Sequence, residues 1–582
     1  MTIELFKLIC KTSFKIFLIA LITLSRIIFA LTYTPQRFGI DGCNLRVLDI
    51  ISRLKDGESG LNAVKWQKIE PHPPIHGRHT YNWNVADLFV KNLQLSGRLL
   101  QVNILTDNYW AIENDTNIVI DPETGNRVTA KLRIKPEHIS DWAEFISTLV
   151  ERYDCDGLND MPGLQYPIIR HIQISSEAAN RWSNPQGYIE ALRTAYEAAK
   201  KANPNIKIMA AGFNIGVYPA LSQQQIDSIF SIHPSLKKIY ESKIDFLEEF
   251  FSKAKSFYDI LSIHIAESYK IDELIPKTIE FFKNMMLKNG YIKPIWIDDM
   301  MCGPYLSSLM SSADDSLKLI LLLKGDETTK KWYWSEQSQL LVKKSILAFA
   351  SGVERVFIST DVDWSSYFLP IWRVQGLIAA DGMIPKPAFY TFDIMISELD
   401  NFQYVTQIIP KDNKTDVLVF KFIKPSKNIY VAWTKNDNEY IDLSSYTNSN
   451  FLKMKHIVLE LDELNCPIYT PPEMVSAKSI YLRKTPVFLE EEKKIGFPYF
   501  SAYPNPFYSE TTIKYSLIKS SHVKIEIYDI AGRLVRTPVN SEKGEGIHTV
   551  IFNRDKLPIG IYFARLIVDN KILKTQKLLI LN

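Results

Sequence analysis

Cysteine is scarce: five in 582 residues, at Cys10, Cys43, Cys155, Cys302 and Cys466. They form no CxxC pair and no Cys/His spacing suited to a metal, so no metal site is expected. A chain of this length also needs no disulfide framework to hold a core, and no pairing is assigned. An excess of charge of one sign is missing too. Lys and Arg number 68 against 65 Asp and Glu, a net charge of +3 with both signs interspersed. That balance offers no basic face for nucleic acid and no acidic solvating tail. Glycine-rich loops of the GxGxxG or GxxxxGKS/T type follow none of the strands read below, which removes the main nucleotide-binding folds. Beyond residue 30 no stable transmembrane span is expected.

One long apolar stretch does occur, at the very start. Lys7, Lys11 and Lys15 precede "IFLIALITLSRIIFA", which ends at the small Ala30. Residues 1–30 therefore read as a secretory signal peptide. The alternative, a membrane anchor, has against it Arg26 inside the run and a length short of the ~20 clean apolar residues that a span needs.

From about residue 36 to 399, short apolar runs alternate with segments of 3.6-residue period, the mark of successive βα units. Eight strands are expected: "FGID" near 38, "AVKWQKIE" near 63, "LLQVNIL" near 99, "IIRHIQIS" near 168, "IKIMAAG" near 206, "DILSIHIA" near 259, "KPIWIDD" near 293 and "RVFISTD" near 355. Ile139, Trp142, Phe145, Ile146, Leu149 and Val150 recur at helical spacing between two of them. The predicted fold class is α/β, a (β/α)8 TIM barrel over 36–399. Polar and apolar residues then alternate in short runs, predicting a small antiparallel β domain over 400–489. A charged linker is expected at 490–499 and a β-sandwich over 500–582.

Two carboxylates carry the chemistry. Glu177 closes "IRHIQISSE" and Asp299 closes "KPIWIDD", each at the carboxyl end of a predicted barrel strand, where such barrels build their sites. One carboxyl group that protonates a leaving oxygen and a second that attacks or activates water make the minimal set for cleaving a glycosidic bond. The acid needs a raised pKa, so apolar walls and a neighbouring carboxylate are expected around Glu177. Strand alternation sets Asp299 in phase with Ile295 and Ile297 and turns Asp298 away. His264 ends the sixth strand and Asn103 the third. Trp66, Trp110, Trp182 and Trp364 fall near strand-exit loops, where flat apolar faces suit pyranose rings. Asp361 and Asp363 read as solvated loop acids.

Two resemblances sharpen this. Trp66, Ile69-Glu70-Pro71, Tyr81-Asn82-Trp83, Asp87, Gly97 and Trp110-Ala111, with "GLIAADGMIPKPAFYTF" after the eighth strand, resemble clan A retaining glycoside hydrolases, the barrel enzymes of β-galactosidase and xylosidase type. That likeness implies Glu177 as acid/base, Asp299 as nucleophile, His264 as its orienter and no cofactor. The chain departs from the clan's Asn-Glu and "WITE" with Ser176-Glu177 and Asp298-Asp299. A side chain shorter by one methylene leaves three readings open: a working nucleophile, a base that activates water with inversion, or a barrel that binds sugar without cutting it. Trp66, Asn103, Trp110, Ser176, Trp182, His264 and Trp364 are the expected sugar contacts. At the other end, Tyr503-Pro504-Asn505-Pro506-Phe507, Tyr528-Asp529, Gly532-Arg533 and Gly560-Ile561-Tyr562-Phe563 resemble the C-terminal sorting domain of the type IX secretion system. The combined expectation is a secreted or cell-surface glycoside hydrolase acting on β-linked glycans. Its partners would be an oligo- or polysaccharide and the secretion machinery, and the alternative is a surface glycan-binding protein on a degenerate barrel.

Overall fold

The computed structural model of the chain describes residues 37–581 except 43, 55–57, 62–63, 114–117, 121–126, 130–131, 183, 305–312, 364–373, 410–415, 426, 437, 493–499, 518–519 and 545. The expected signal peptide, Trp364 and most of the expected linker lie outside the described residues.

Eight parallel strands close into a barrel: β1 (Phe38–Asp41), β2 (Glu58–Leu61), β3 (Leu99–Ile104), β4 (Ile169–Ile174), β5 (Lys207–Phe213), β6 (Ile260–Ile265), β7 (Ile295–Met301) and β8 (Arg355–Ser359). β1 pairs with both β8 and β2, which seals the ring. Among the helices outside it are α1 (Asn84–Ser96), α2 (Ile139–Tyr153), α3 (Pro185–Ala202), α4 (Pro234–Lys253), α5 (Ile271–Lys288), α6 (Glu327–Ala350) and α7 (Pro387–Leu399). In α2 the buried Trp142, Phe145, Ile146, Leu149 and Val150 form one stripe against the sheet, as their spacing predicts. Asn184 starts α3 by accepting a hydrogen bond from the Gly187 amide, and Gly97 ends α1 in the left-handed region at φ 75°.

One strand lies elsewhere than the pattern predicts. β2 sits upstream of Val64, and Trp66–Ile69 forms a helical turn. The Trp66 indole donates to the Glu70 carboxylate at 2.8 Å, a contact between residues four apart that a helical turn allows and an extended strand does not.

A six-stranded antiparallel sheet follows, its strands in the order Tyr404–Ile409, Val417–Ile423, Lys427–Thr434, Val487–Glu492, Phe451–His456 and Glu473–Ser476. Leu418, Phe420 and Phe422 join the barrel's core, whereas Val417 and Val419 enter a second core with Tyr430 and Leu452. That split is the two-residue period of a strand buried on both faces. Phe402 bridges the layers, 5.2 Å from the Phe349 ring and 5.0 Å from Phe422. Barrel and sheet make one compact unit, and residues 447–449 and 491–582 make a second. In the second, a three-stranded and a four-stranded sheet share a core of Phe500, Ile513 and Phe552 with Val523, Ile525, Ile527 and Leu566. Among the described residues no helix is long and apolar enough to cross a membrane.

Candidate active site

The carboxyl ends of β4, β6 and β7 bring Glu177, His264 and Asp299 together. β4 stops at Ile174, and both Ser175 (φ 66°) and Glu177 (φ 49°) adopt the left-handed conformation. Such backbone is strained for a residue with a side chain, by ~1–3 kcal/mol each, and it turns the chain sharply into the single helical turn Ala178–Arg181. The turn is pinned from below: the buried Trp182 donates its indole N–H to Ser175 Oγ at 3.0 Å. Asn180 Nδ2 steadies Glu177 by donating to Oε2 at 3.1 Å.

His264 is the hub. Its Nδ1 lies 3.3 Å from Glu177 Oε1 and 3.7 Å from Asp299 Oδ2, and its Nε2 lies 3.4 Å from Asp298 Oδ1. Two carboxylate oxygens so close to one nitrogen can be no more than about 7 Å apart, a separation that one glycosidic bond can occupy. The ring fits because its neighbour on β5 is Gly212, where a Cβ would stand 1.7 Å from His264 Nε2. Burial disfavours the imidazolium, but the charges and hydrogen bonds of Asp298, Glu177 and Asp299 outweigh it and hold the His264 pKa well above its usual value.

Asp298 does not point away as strict alternation requires. The pairing of β6 with β7 slips by one residue between Ile263–Ile297 and His264–Asp299, and this bulge turns both aspartates inward. Asp298 is 5% exposed. It accepts hydrogen bonds from the Ser262 hydroxyl and, at 3.5 Å, from Gln101 Nε2. Asp299 Oδ1 is sealed from solvent without a hydrogen-bond partner. Burial pushes the Asp299 carboxyl up, His264 opposes this, and Asp298 and Glu177 add to the rise. Asp41, at the end of β1, is pushed higher by burial and then by Asp299 and Asp298.

The expected direction for Glu177 is overturned. Burial would raise its pKa, but the His264 hydrogen bond and charge, with Arg181 and Asn180, bring it to about 2. A cation rather than an apolar wall is what faces this carboxylate.

The other expected residues divide. Asn103 shares the inward face of β3 with Gln101 and carries a sealed Oδ1 with no hydrogen-bond partner. Ser176 is half-buried beside Glu177. Trp110 is half-buried, its indole donating to the Glu70 carbonyl at 3.1 Å. Trp182, 6% exposed, has little face left for a sugar. Trp66 is fully buried among Trp110, Trp142 and Phe145 and offers none. It is a core residue, because its indole N–H is committed to the buried Glu70. Asp361 is buried and Asp363 half-buried rather than solvated: Asp361 accepts from the Asn44 amide at 2.6 Å, and Asp363 pairs with Lys386 at 2.7 Å.

Three residues escape sequence reasoning: Asp41, Asp298 and Lys344. Lys344, fully buried on α6, donates to the Met301 carbonyl at 2.6 Å and the Ala266 carbonyl at 3.2 Å. It thereby ties the ends of β7 and β6 just past the bulge. Burial lowers its pKa to about 8 against the pull of Cys302, Glu267 and Asp299. A lysine inside "QLLVKKSILAFA" is the visible trace, since a helix buried on nearly all sides has no reason to hide a charge.

The family described as "Secretion system C-terminal sorting domain" matches residues 501–581. The last module is therefore a sorting domain, and the protein is secreted or carried at the cell surface. No curated protein matches the chain. Among solved structures, it is similar to a glucosidase from Croceicoccus marinus, at 12% identity over 89% of this chain and 93% of that one, with a TM-score of 0.43. A GH39 β-xylosidase from Caulobacter crescentus is similar at 12% identity over 79% and 96%, with a TM-score of 0.47. A conserved exported protein from Bacteroides fragilis is similar at 10% identity over 78% and 97%, with a TM-score of 0.49. At these identities and scores no activity carries over from them.

Proposed function

We propose that the barrel is a glycoside hydrolase that cleaves β-linked bonds of an oligo- or polysaccharide outside the cell. The observation that supports this reading is the meeting of Glu177 and Asp299, from two different strands, on one nitrogen of His264 at the carboxyl mouth of the barrel. In the resting site the protons lie in the wrong places for chemistry. Glu177 is ionised against an imidazolium, so the proton it must deliver sits on His264 Nδ1, while burial pushes the Asp299 carboxyl up. Bound sugar displaces water, and His264 moves the proton: Nδ1–H passes to Glu177 and leaves the imidazole neutral. Glu177 then protonates the glycosidic oxygen while the Asp299 carboxylate attacks the anomeric carbon. In the second half Glu177 takes a proton from water, whose oxygen displaces Asp299. Glu177 returns that proton to Nδ1, and His264 ends as it began. Asn103 and Ser176 contact sugar hydroxyls, and Trp110 supplies an apolar face.

A second reading, a glycan-binding barrel without turnover, draws on one specific observation. A Glu177 held at about pH 2 is a poor acid unless the relay operates. Both readings meet in one experiment. The purified chain is assayed on aryl β-glycosides and on plant or algal polysaccharides beside Glu177→Gln. Turnover that falls at least ~100-fold in the variant is expected. Equal turnover in both proteins removes Glu177 from the mechanism, and glycan binding with no turnover in the parent favours the second reading.

A further inference from the structure

At the opposite end of the barrel, in the loop between α2 and β4, the run Asp154-Cys155-Asp156-Gly157-Leu158-Asn159-Asp160 folds back on itself. One oxygen from each of Asp154, Asp156 and Asp160 lies within 4.8 Å of the other two. Acids drawn together repel unless something offsets them, and among the described residues none of the three has a lysine or arginine within ion-pair distance. Asp160 accepts from the Cys155 and Gly157 amides at 2.9 and 2.8 Å, and Asp156 accepts from the Leu158 amide at 2.8 Å. Those bonds shape the loop without neutralising it.

The second observation concerns Asp154. It is only 5% exposed, and its Oδ2 is tied to Asn203 Nδ2 at 3.0 Å. Its Oδ1 is sealed from solvent with no hydrogen-bond partner, in a carboxylate that contributes one oxygen to the cluster. A buried anionic oxygen left unpaired is expensive, by ~1–3 kcal/mol or more, so such a group normally has a counter-charge. Hard carboxylate oxygens, with no nitrogen or sulfur ligand among them, suit a hard cation. Calcium accepts carboxylate and carbonyl oxygens at ~2.3–2.6 Å in a flexible geometry, whereas magnesium demands a near-ideal octahedron at ~2.0–2.1 Å and keeps several of its waters, which an irregular turn with three carboxylates suits less well.

We infer that Asp154, Asp156 and Asp160 form a calcium site that closes the connection from α2 to β4. Cysteine and histidine spacings give no sign of such a site, because this loop carries neither as a ligand. The site lies away from Glu177 and Asp299 and is independent of the proposed hydrolysis.

Calorimetry on the full chain, stripped with chelator and titrated with CaCl2 at pH 7, tests it. One calcium per chain is expected, with Kd below ~1 mM and a rise in the unfolding midpoint. MgCl2 binds at least ~10-fold more weakly. Asp156→Asn keeps the Leu158 contact on an exposed side chain, so it folds, and it weakens calcium at least ~10-fold. Asp154→Asn abolishes the calcium response, yet in the stripped state its midpoint equals or exceeds the parent's, because a neutral amide leaves no anion unpaired. No heat and no midpoint shift in the parent up to about 10 mM CaCl2 overturns the site. So does a response that survives in both variants, or one stronger to magnesium than to calcium.

Discussion

Gly212→Ala tests whether His264 governs the site. The added Cβ would lie 1.7 Å from His264 Nε2, 2.2 Å from Cδ2 and 2.6 Å from Cε1. Ordinary contact between such atoms is ~3.5 Å, so the ring must retreat by ~1.5–2 Å or the strand must shift. Contacts of 3.4 Å to Asp298, 3.3 Å to Glu177 and 3.7 Å to Asp299 cannot all survive that movement. Misplacing a catalytic constellation by about 1 Å costs ~100-fold in rate, and overpacking costs ~1–3 kcal/mol in stability. Turnover on whichever glycoside the parent cleaves should therefore fall at least ~100-fold. The 15N-detected titration of His264, assigned by its loss in His264→Gln, should move down toward the ordinary value of ~6.5 as the carboxylates are lost. Gly39→Ala is the control. Its Cβ would meet the Phe357 ring at 2.4 Å, in the apolar cluster of Met209, Ile260 and Trp296. It should lose comparable stability but keep turnover per folded molecule within about threefold. If the change acts through the ring, Gly212→Ala combined with His264→Gln is no worse than His264→Gln alone. A Gly212→Ala protein whose His264 titrates as in the parent refutes the reasoning, whether or not the barrel turns over a substrate.

Glu177→Gln should also change the response to acid. The folded pKa of Glu177 is depressed to about 2, so its stabilising effect is present above the unfolded value near 4.3 and is lost as pH falls through about 2. At pH 7 the variant should be less stable by ~2–3 kcal/mol, allowing for partial solvent access, and the gap should narrow below about pH 4 in chemical-denaturation series; a constant gap contradicts the assignment. Lys344→Met probes the opposite case. A folded pKa of about 8 means that the native state releases this proton before the unfolded state does, so Lys344 makes stability rise between pH ~8 and ~10.4. The same series in the variant should lack ~2–3 kcal/mol of that rise. Trp66→Ala, in a fully buried site, should cost ~3–5 kcal/mol by thermal or chemical unfolding while leaving KM of the folded fraction unchanged; a large change in KM would return Trp66 to the sugar face.

Much of the barrel was legible because its signals are local. Seven of the eight strands stand where short apolar runs end in polar punctuation, and Glu177 and Asp299 stand at strand ends where such runs close. The second strand was misplaced because "AVKWQKIE" alternates well enough to imitate one, while the decisive contact, indole to Glu70, is helical. The sorting module was readable from its turn and strand motifs, as the family match bears out.

Sequence by itself determined seven of the eight barrel strands, the placing of two carboxylates near strand ends and the sorting module, since periodicity and motif need no distant partner. Tertiary structure alone decided the rest of the site. A one-residue slip against β6 turned Asp298 inward, and Gly212 on another strand made room for the histidine. A lysine from α6 fastened the ends of β6 and β7, and the imidazolium beside Glu177 reversed the expected direction of its pKa. The physical reason is common to all four. A protonation state and a side chain's direction depend on charges and volumes within a few ångströms, and the fold supplies these from residues tens to hundreds of positions away.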